Sequence, residues 1–284
     1  MNNYLEQKNE IQKVFPEKLD FSVSKGKRKD QKRIYARTRR KNNNLFIKLS
    51  LNKNDLFYLR EREAYKSNAV KQFAPRLIRL LSQGNVFTLI EGQMLDALFS
   101  KNFDLYLANQ AIEEIAHFHK YSKKGMVLDK DISAILTKNR LNSNKYRVGV
   151  MHGDFDPFNI IVSRNRISFI DWEDYRENGL CEIDFVHFIT MLWIIINKHH
   201  NLTLEDKAKK IVEDVFKLDK FKVLFGKYSS ISHTERNRLL ELFPAYCDLS
   251  VARLKRNKRD WKGFVYLALK KESKKWLRQN MREI

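Results

Sequence analysis

The sequence predicts an α+β protein of two unequal lobes: a small antiparallel β-sheet carrying one helix, then a larger and mainly helical lobe. Three observations lead there. Residues 21–50 hold three short extended runs separated by polar clusters, a further pair of runs flanks Gln83-Gly84-Asn85, and from about Leu95 the apolar residues recur near the helical period. The division falls between residues 1–91, the sheet lobe, and residues 92–284, the helical lobe.

The runs F-S-V-S, R-I-Y-A-R-T and L-F-I-K-L-S are broken by K-G-K-R-K-D-Q-K and R-K-N-N-N, whose polar residues favour turns, so they predict an antiparallel meander. In N-D-L-F-Y-L-R-E-R-E-A-Y-K, Asn54 or Asp55 can cap a helix. Leu56, Leu59 and Glu63 then fall at i, i+3 and i+7, which places a carboxylate on the inward stripe. R-L-I-R-L-L-S and V-F-T-L-I-E predict a hairpin that completes the sheet. In the second lobe, Leu105, Ile112, Ile115 and Phe118 share a helical face, and N-I-I-V and I-S-F-I-D, joined by Ser163-Arg164-Asn165-Arg166, predict a small hairpin set among helices. Helical patterning resumes after Asp184 and continues to the C-terminus.

Of 284 residues, 43% are hydrophobic and 12% aromatic, enough to bury a core. Lys and Arg total 55 against 34 Asp and Glu, a net charge of +21. A field of that sign gathers anions: nucleic acid, an anionic membrane, a nucleoside triphosphate, or an acidic or phosphorylated glycan. It is equally the signature of a solvated, lysine-rich surface. Cys181 and Cys247 stand far apart with no Cys/His cluster, so neither a disulfide framework nor a zinc site is indicated. The N-terminus lacks the basic and apolar regions of a signal peptide, and no run reaches the roughly 18 apolar residues of a membrane span. A cytoplasmic, reducing compartment is expected.

The chemistry concentrates in H-G-D-F-D-P-F-N-I-I-V, His152 to Val162. Phosphoryl transfer from a Mg-nucleotide needs a base for the acceptor hydroxyl, an amide oxygen on the metal and a second carboxylate on the same metal. Asp154 is the candidate base, Asn159 the amide ligand, and Asp171, ending I-S-F-I-D, the carboxylate ligand. The five-residue step from Asp154 to Asn159 equals that of the kinase catalytic loop. A hairpin between Asn159 and Asp171 brings both to its outer end. Upstream, Lys48 on the third run and Glu63 on the following helix are in the order expected for a phosphate-gripping lysine oriented by an ion pair.

These strings, with I-S-F-I-D-W-E-D, resemble the aminoglycoside phosphotransferase and choline kinase-like family, whose loop reads His-Gly-Asp-x-x-x-x-Asn. I-A-H-F-H-K resembles the family's Leu-Ala-x-Leu-His helix, and E-I-D-F-V sets Asp184 at its structural aspartate. The resemblance runs from Phe21 to Leu192. It implies a protein kinase-like bilobal fold and an ATP cleft between the lobes, with adenine held by backbone groups of the connecting strand near Ile90, Glu91 and Gly92. GTP remains an alternative donor, because no Gly-x-Gly-x-x-Gly is present and only Gly26, in a lysine-rich turn, stands where such a loop would cover the triphosphate.

His152 reads as a structural residue of the loop rather than a proton carrier, and Asp156 as a cap before Pro157 or a contact for metal or acceptor. His117, His119, His199 and His200 read as structural or solvated. Gly226-Lys227 is not a phosphate loop, since Phe221 replaces the required glycine and Tyr228 the Ser or Thr. In the basic tail, Trp261, Val265, Ala268, Leu269 and Trp276 share a face that either packs on the core or lies on an anionic membrane.

The expected activity is thus ATP-dependent phosphorylation of a hydroxyl on a small molecule or sugar. The charge tilts the acceptor towards an anionic envelope glycan or lipid-linked sugar, although Glu173, Asp174, Glu177, Glu182 and Asp184 form a local acidic cluster. Peripheral contact with the inner membrane surface is a further expectation. Two rivals remain: an aminoglycoside-type antibiotic phosphotransferase, and an idle kinase-like module that binds nucleic acid or membrane. Intact Lys48, Asp154, Asn159 and Asp171 count against the idle module and make nucleic acid a disfavoured partner. A protein kinase is disfavoured because His-Arg-Asp and a following Ala-Pro-Glu are missing.

Overall fold

The computed structural model describes residues 9, 12–13, 20–25, 32–40, 43–50, 55–81, 84–121, 127–164, 166–198, 202–256 and 263–281. Strands β1 (Asp20–Lys25), β2 (Lys32–Arg40), β3 (Asn43–Ser50), β4 (Leu77–Leu81) and β5 (Gly84–Thr88) form one sheet of order β1-β2-β3-β5-β4, every pair antiparallel. Alternation on β3 explains where its lysine goes. Leu45, Ile47 and Leu49 are buried on one face, so Phe46 and Lys48 fall on the other, where Tyr35 of β2 stacks on Phe46 at 5.7 Å. Leu81 pairs with Gly84, so Gly84 and Asn85 lie inside β5 and not in the connection where the sequence suggested them. Gln83 itself and the Gly26 turn lie outside the described residues.

Helix α1 (Leu56–Ala64) starts at Asp55, whose carboxylate accepts from the Tyr58 backbone N–H and from Ser50 Oγ. Its buried face is Tyr58, Glu61 and Ala64, continued by Tyr65, while Leu59 is 42% exposed and Glu63 faces solvent. The expected phase, with Glu63 inward, is therefore wrong. Leucines alone suggested that phase, but two large tyrosines compete for the interior and turn the helix so that Glu61 goes in. A second short helix, α2 (Asn68–Phe73), follows although the sequence suggested a single helix in this lobe, burying Ala69, Val70 and Phe73 before Pro75 ends it.

Past Leu89 the chain enters β6 (Gln93–Met94), which pairs with β8 (Ile160–Val162); β8 in turn pairs with β9 (Ile167–Phe169). Strand β7 (Val148–Met151) pairs with β10 (Arg176–Leu180). Around these lie α3 (Leu95–Lys101), α4 (Leu105–Tyr121), α5 (Lys130–Lys138), α6 (Cys181–Ile196), α7 (Leu204–Lys217), α8 (Asp219–Ser232), α9 (Arg236–Glu241), α10 (Phe243–Arg256) and α11 (Gly263–Asn280). Helix α6 is apolar on nearly every side and runs through the lobe's centre, as such a composition requires. Cys181 and Cys247 are buried thiols, and Cys181 Sγ donates to the Val150 carbonyl at 3.6 Å.

Helix α11 packs against α7 and α10, with Leu269 and Ser273 fully buried and Trp276 edge-on to Phe216 at 4.7 Å. The tail is thus core-packed along one face. Trp261, His199 and His200 lie outside the described residues. Among the described residues, no helix is long and apolar enough to cross a membrane.

Candidate active site

The loop between β7 and β8 is held from below by Asp184 of α6. Its carboxylate accepts from the backbone N–H groups of His152 at 2.6 Å and Gly153 at 2.9 Å, and lies 3.4 Å from His119 Nε2. His152 is fully buried, and burial pulls its pKa below the usual histidine value, so the ring is neutral. Its Nε2–H donates to the Ile170 carbonyl at 2.9 Å, while Nδ1 accepts from the Asp154 backbone N–H. The ring ties the loop to β9 and has no proton to offer a substrate. Phe155, Phe169, Trp172 and Phe118 form an aromatic floor beneath it, with Phe155 and Phe169 edge-on at 4.6 Å. Gly153 has φ +83, and a Cβ there would strike the Asp174 carbonyl, so this position requires glycine.

Asn159 Nδ2 donates to the Asp154 carbonyl at 2.8 Å, which leaves Oδ1 as the free end of the amide. The pairing Ile160↔Phe169 sets Asn159 and Ile170 side by side, with Ile170 N–H donating to the Asn159 carbonyl at 2.9 Å. Asp171 follows in a left-handed conformation, φ 65 and ψ 57, rare for any residue but glycine yet tolerated by aspartate. That turn aims its carboxylate, 43% exposed, at Lys48 Nζ, 2.8 Å away.

Lys48 is 6% exposed and ringed by carboxylates: Asp171, Glu61 at 3.0 Å and Glu173 at 2.6 Å. Asn85 of β5 donates to the other Glu61 oxygen at 3.4 Å and so orients it. Glu63 instead pairs with exposed Lys66 at 2.7 Å. The expected Lys48–Glu63 pair is thereby corrected to Lys48–Glu61, a consequence of the helix phase described above. Glu61→Gln should lower kcat/KM for ATP about tenfold, the scale of one charge-assisted hydrogen bond, and Glu63→Gln should leave it within about twofold; initial rates at varied ATP check both.

A cleft of about 380 Å³ lies between the five-stranded sheet and the β6-β8-β9 sheet. Tyr35, Phe46 and Phe87 line one wall, Met94, Ile161 and Ile170 the other, and Lys48, Asn159 and Asp171 close one end. Ile90 and Gly92 line it as well. Glu91 stands exposed at the rim, its carboxylate accepting from Asn44 at 2.6 Å. A Cβ on Gly92 would collide with the Val162 carbonyl, so the connecting strand packs backbone against backbone on β8. Two planar-walled sides and a charged end suit a purine nucleotide with its phosphates at Lys48. Among the described residues no three His, Cys, Asp or Glu side chains gather as a metal cage. The donor set of Asn159 and Asp171 suits Mg2+, which takes one or two carboxylates and completes its shell with phosphates and water.

Asp154 carries partners that the motif did not announce. Arg253 of α10 donates from Nη1 to its carboxylate and, at 2.8 Å, to the Gly153 carbonyl; His187 Nε2 lies 3.3 Å from Asp154 Oδ1. Burial alone would raise the pKa of Asp154, but Arg253 and His187 outweigh it and hold the carboxyl well below the usual range. Asp156 caps the 3-10 turn Pro157–Asn159 by accepting from Phe158 N–H, and burial pushes its pKa up to about 6. A carboxyl raised from 3.8 in the unfolded chain favours folding fully below that value, and this contribution is lost as pH rises through about 6. Asp156→Asn should therefore raise Tm at pH 7 relative to the parent, with the gain shrinking towards pH 4; melting curves across that range check it.

Residues 59–196 match the model of the phosphotransferase enzyme family. That segment contains the whole loop, the β8–β9 hairpin and Asp184, while Lys48 and Arg253 lie outside it. Two solved structures share the fold. A Ralstonia eutropha jmp134 protein assigned to the aminoglycoside phosphotransferases superposes with TM-score 0.52 at 12% identity, covering 94% of this chain and 98% of its own. A thermostable mutant of aminoglycoside phosphotransferase APH(4)-Ia, in ternary complex with AMP-PNP and hygromycin B, gives 0.51 at 11%, covering 93% and 97%. At such identities the likeness establishes the bilobal fold alone. No curated protein matches the sequence.

Proposed function

We propose that this chain transfers the γ-phosphate of ATP to a hydroxyl of a small molecule or sugar. The observation that supports it most is the convergence on one cleft of Lys48, Asn159 and Asp171, with Asp154 hydrogen-bonded to Asn159 through its own carbonyl. Lys48, set by Glu61, grips the donor phosphates. Asn159 and Asp171 would hold Mg2+, which would supply positive charge against the phosphate oxygens. Asp154 accepts a hydrogen bond from the acceptor hydroxyl, orients it for in-line attack, and takes its proton as the new P–O bond forms and the γ-phosphorus bond to the β–γ bridging oxygen breaks, with ADP leaving. Backbone groups of Ile90, Glu91 and Gly92 hold the base of the nucleotide, ATP or alternatively GTP.

The acceptor is proposed to be anionic, an envelope glycan or lipid-linked sugar, on the strength of the net charge of +21 and of Arg253 beside the base. The outward stripe of α11, with Phe264 and Leu267 exposed ahead of Lys271, Lys275 and Arg278, fits peripheral contact with an anionic inner membrane surface from the cytoplasm. A second reading, an aminoglycoside-type acceptor, is favoured by Asp156 and Asp174 near the same base, since cationic drugs seek carboxylates.

Labelled ATP and GTP with Mg2+, incubated with anionic sugars, choline-like alcohols, aminoglycosides and bacterial envelope extract, separate these readings. Label in an anionic sugar or envelope glycan supports the first. Label in an aminoglycoside, with drug resistance on expression, replaces it with the second. No label anywhere, together with no nucleotide-induced rise in Tm, would overturn the phosphotransferase assignment and leave the idle module.

A further inference from the structure

We propose that Arg253 is a specificity residue whose guanidinium binds an oxyanion, a carboxylate or phosphate, borne by the acceptor next to the hydroxyl that is phosphorylated. The inference rests on the phosphotransferase reading for the place of the acceptor, and on geometry for the rest. Helix α10 delivers Arg253 to the catalytic loop from a part of the chain beyond residues 59–196, so the contact is additional to the segment that matches the phosphotransferase family.

Among the described residues, Arg253 uses only one of its three nitrogens on the protein. Nη1 donates to the Gly153 carbonyl at 2.8 Å and to Asp154, and lies 4.0 Å from Asp174 Oδ2. Among the described residues, Nε and Nη2 donate to nothing. A guanidinium presents its donors in a rigid plane, and the fork left over has the shape of a carboxylate or phosphate edge. Its side chain is 17% exposed, so an anion there meets donors already stripped of most of their water.

His187 completes the arrangement. Its Nδ1 is hydrogen-bonded to the Tyr246 hydroxyl at 3.0 Å, which fixes the ring, and its Nε2 is buried with no hydrogen bond of good geometry although Asp154 Oδ1 is 3.3 Å away. Arg253 and His187 thus both bear on Oδ1. The remaining oxygen, Oδ2, is the one presented to an acceptor hydroxyl, and a substituent beside that hydroxyl falls against Arg253. A small cavity lined by Gly153, Asp174, His187, Tyr246, Ser250 and Arg253 opens at this point. A purely structural arginine would be saturated by the protein; this one bridges the base and the small cavity.

The test is calorimetric titration of the full chain, with Mg-ADP present, using glucose, glucuronate and glucose 6-phosphate as probes; the two charged sugars distinguish a carboxylate from a phosphate requirement. At least one charged sugar should bind roughly tenfold tighter than glucose. Arg253→Gln should bring it down to the level of glucose, and Arg253→Lys, which keeps the charge without the fork, should retain only part of the preference. Equal binding of all three, or no measurable binding of any, overturns the proposal, as does a preference that survives Arg253→Gln. If Arg253→Gln does not fold, Arg253→Lys decides alone: an undiminished preference refutes the fork. Because binding is read without turnover, absence of phosphate transfer leaves this result standing. Conversely, Asp154-dependent transfer to neutral sugars with no charge preference refutes Arg253 while sustaining the phosphotransferase.

Discussion

Asp154→Asn should reduce phosphate transfer by about 10²–10⁴-fold in kcat while Mg-nucleotide still binds. Asparagine preserves the shape of the side chain and can still accept from Arg253 through its amide oxygen, so the loop has no steric reason to rearrange. What disappears is the ability to take a proton. Nucleotide binding should persist because Lys48, Asn159 and Asp171 are positioned independently of the Asp154 carboxylate; Asn159 is fixed by the Asp154 backbone carbonyl, which the substitution keeps. Initial rates give the first effect, and the rise in Tm on adding Mg-AMP-PNP gives the second. Unchanged turnover would remove Asp154 from the role of base.

Asp171→Asn should act on the other half of the cycle, weakening Mg-nucleotide binding by about 1.5–3 kcal/mol, roughly ten- to a hundredfold in Kd. Asparagine is the informative choice because residue 171 sits at φ 65, a conformation that Asn tolerates and Ala does not. The substitution removes charge and one metal-binding oxygen without adding backbone strain. Lys48 keeps Glu61 and Glu173, so the lysine stays compensated and the lobe should hold together. Calorimetry with ADP, with and without Mg2+, isolates the metal-dependent part: the parent should show a large Mg2+ enhancement and the variant little. An equal enhancement in both would place the metal elsewhere.

The parts of the site that lie within one short stretch were legible in the sequence, and for a physical reason. Asp154 and Asn159 are locked to each other by local backbone geometry, and the hairpin from Ile160 to Phe169 sets Ile170 opposite Asn159 and Asp171 one residue further on, so spacing alone carries their arrangement. Lys48 was legible from strand alternation. Glu61 was missed because α1 is short, polar and has glutamates two positions apart, and the choice between them depends on how Tyr58 and Tyr65 pack, which is tertiary information. A search for tyrosine rather than leucine as the inward marker would have found it. Arg253 and His187 reach Asp154 from positions 99 and 33 residues away along α10 and α6, with no motif linking them. The sole trace in the sequence is that R-L-K-R places an arginine at the end of an amphipathic helix, and nothing in one dimension says that this helix ends at the catalytic loop.

The most direct test of the account is transfer of labelled γ-phosphate from Mg-ATP into envelope extract and defined anionic sugars by the parent protein and by Asp154→Asn, run side by side. Label that enters a hydroxyl-bearing acceptor with the parent and is lost with Asp154→Asn is the predicted result. Equal labelling by both proteins, or ATP that binds yet is never consumed with any acceptor, would contradict it.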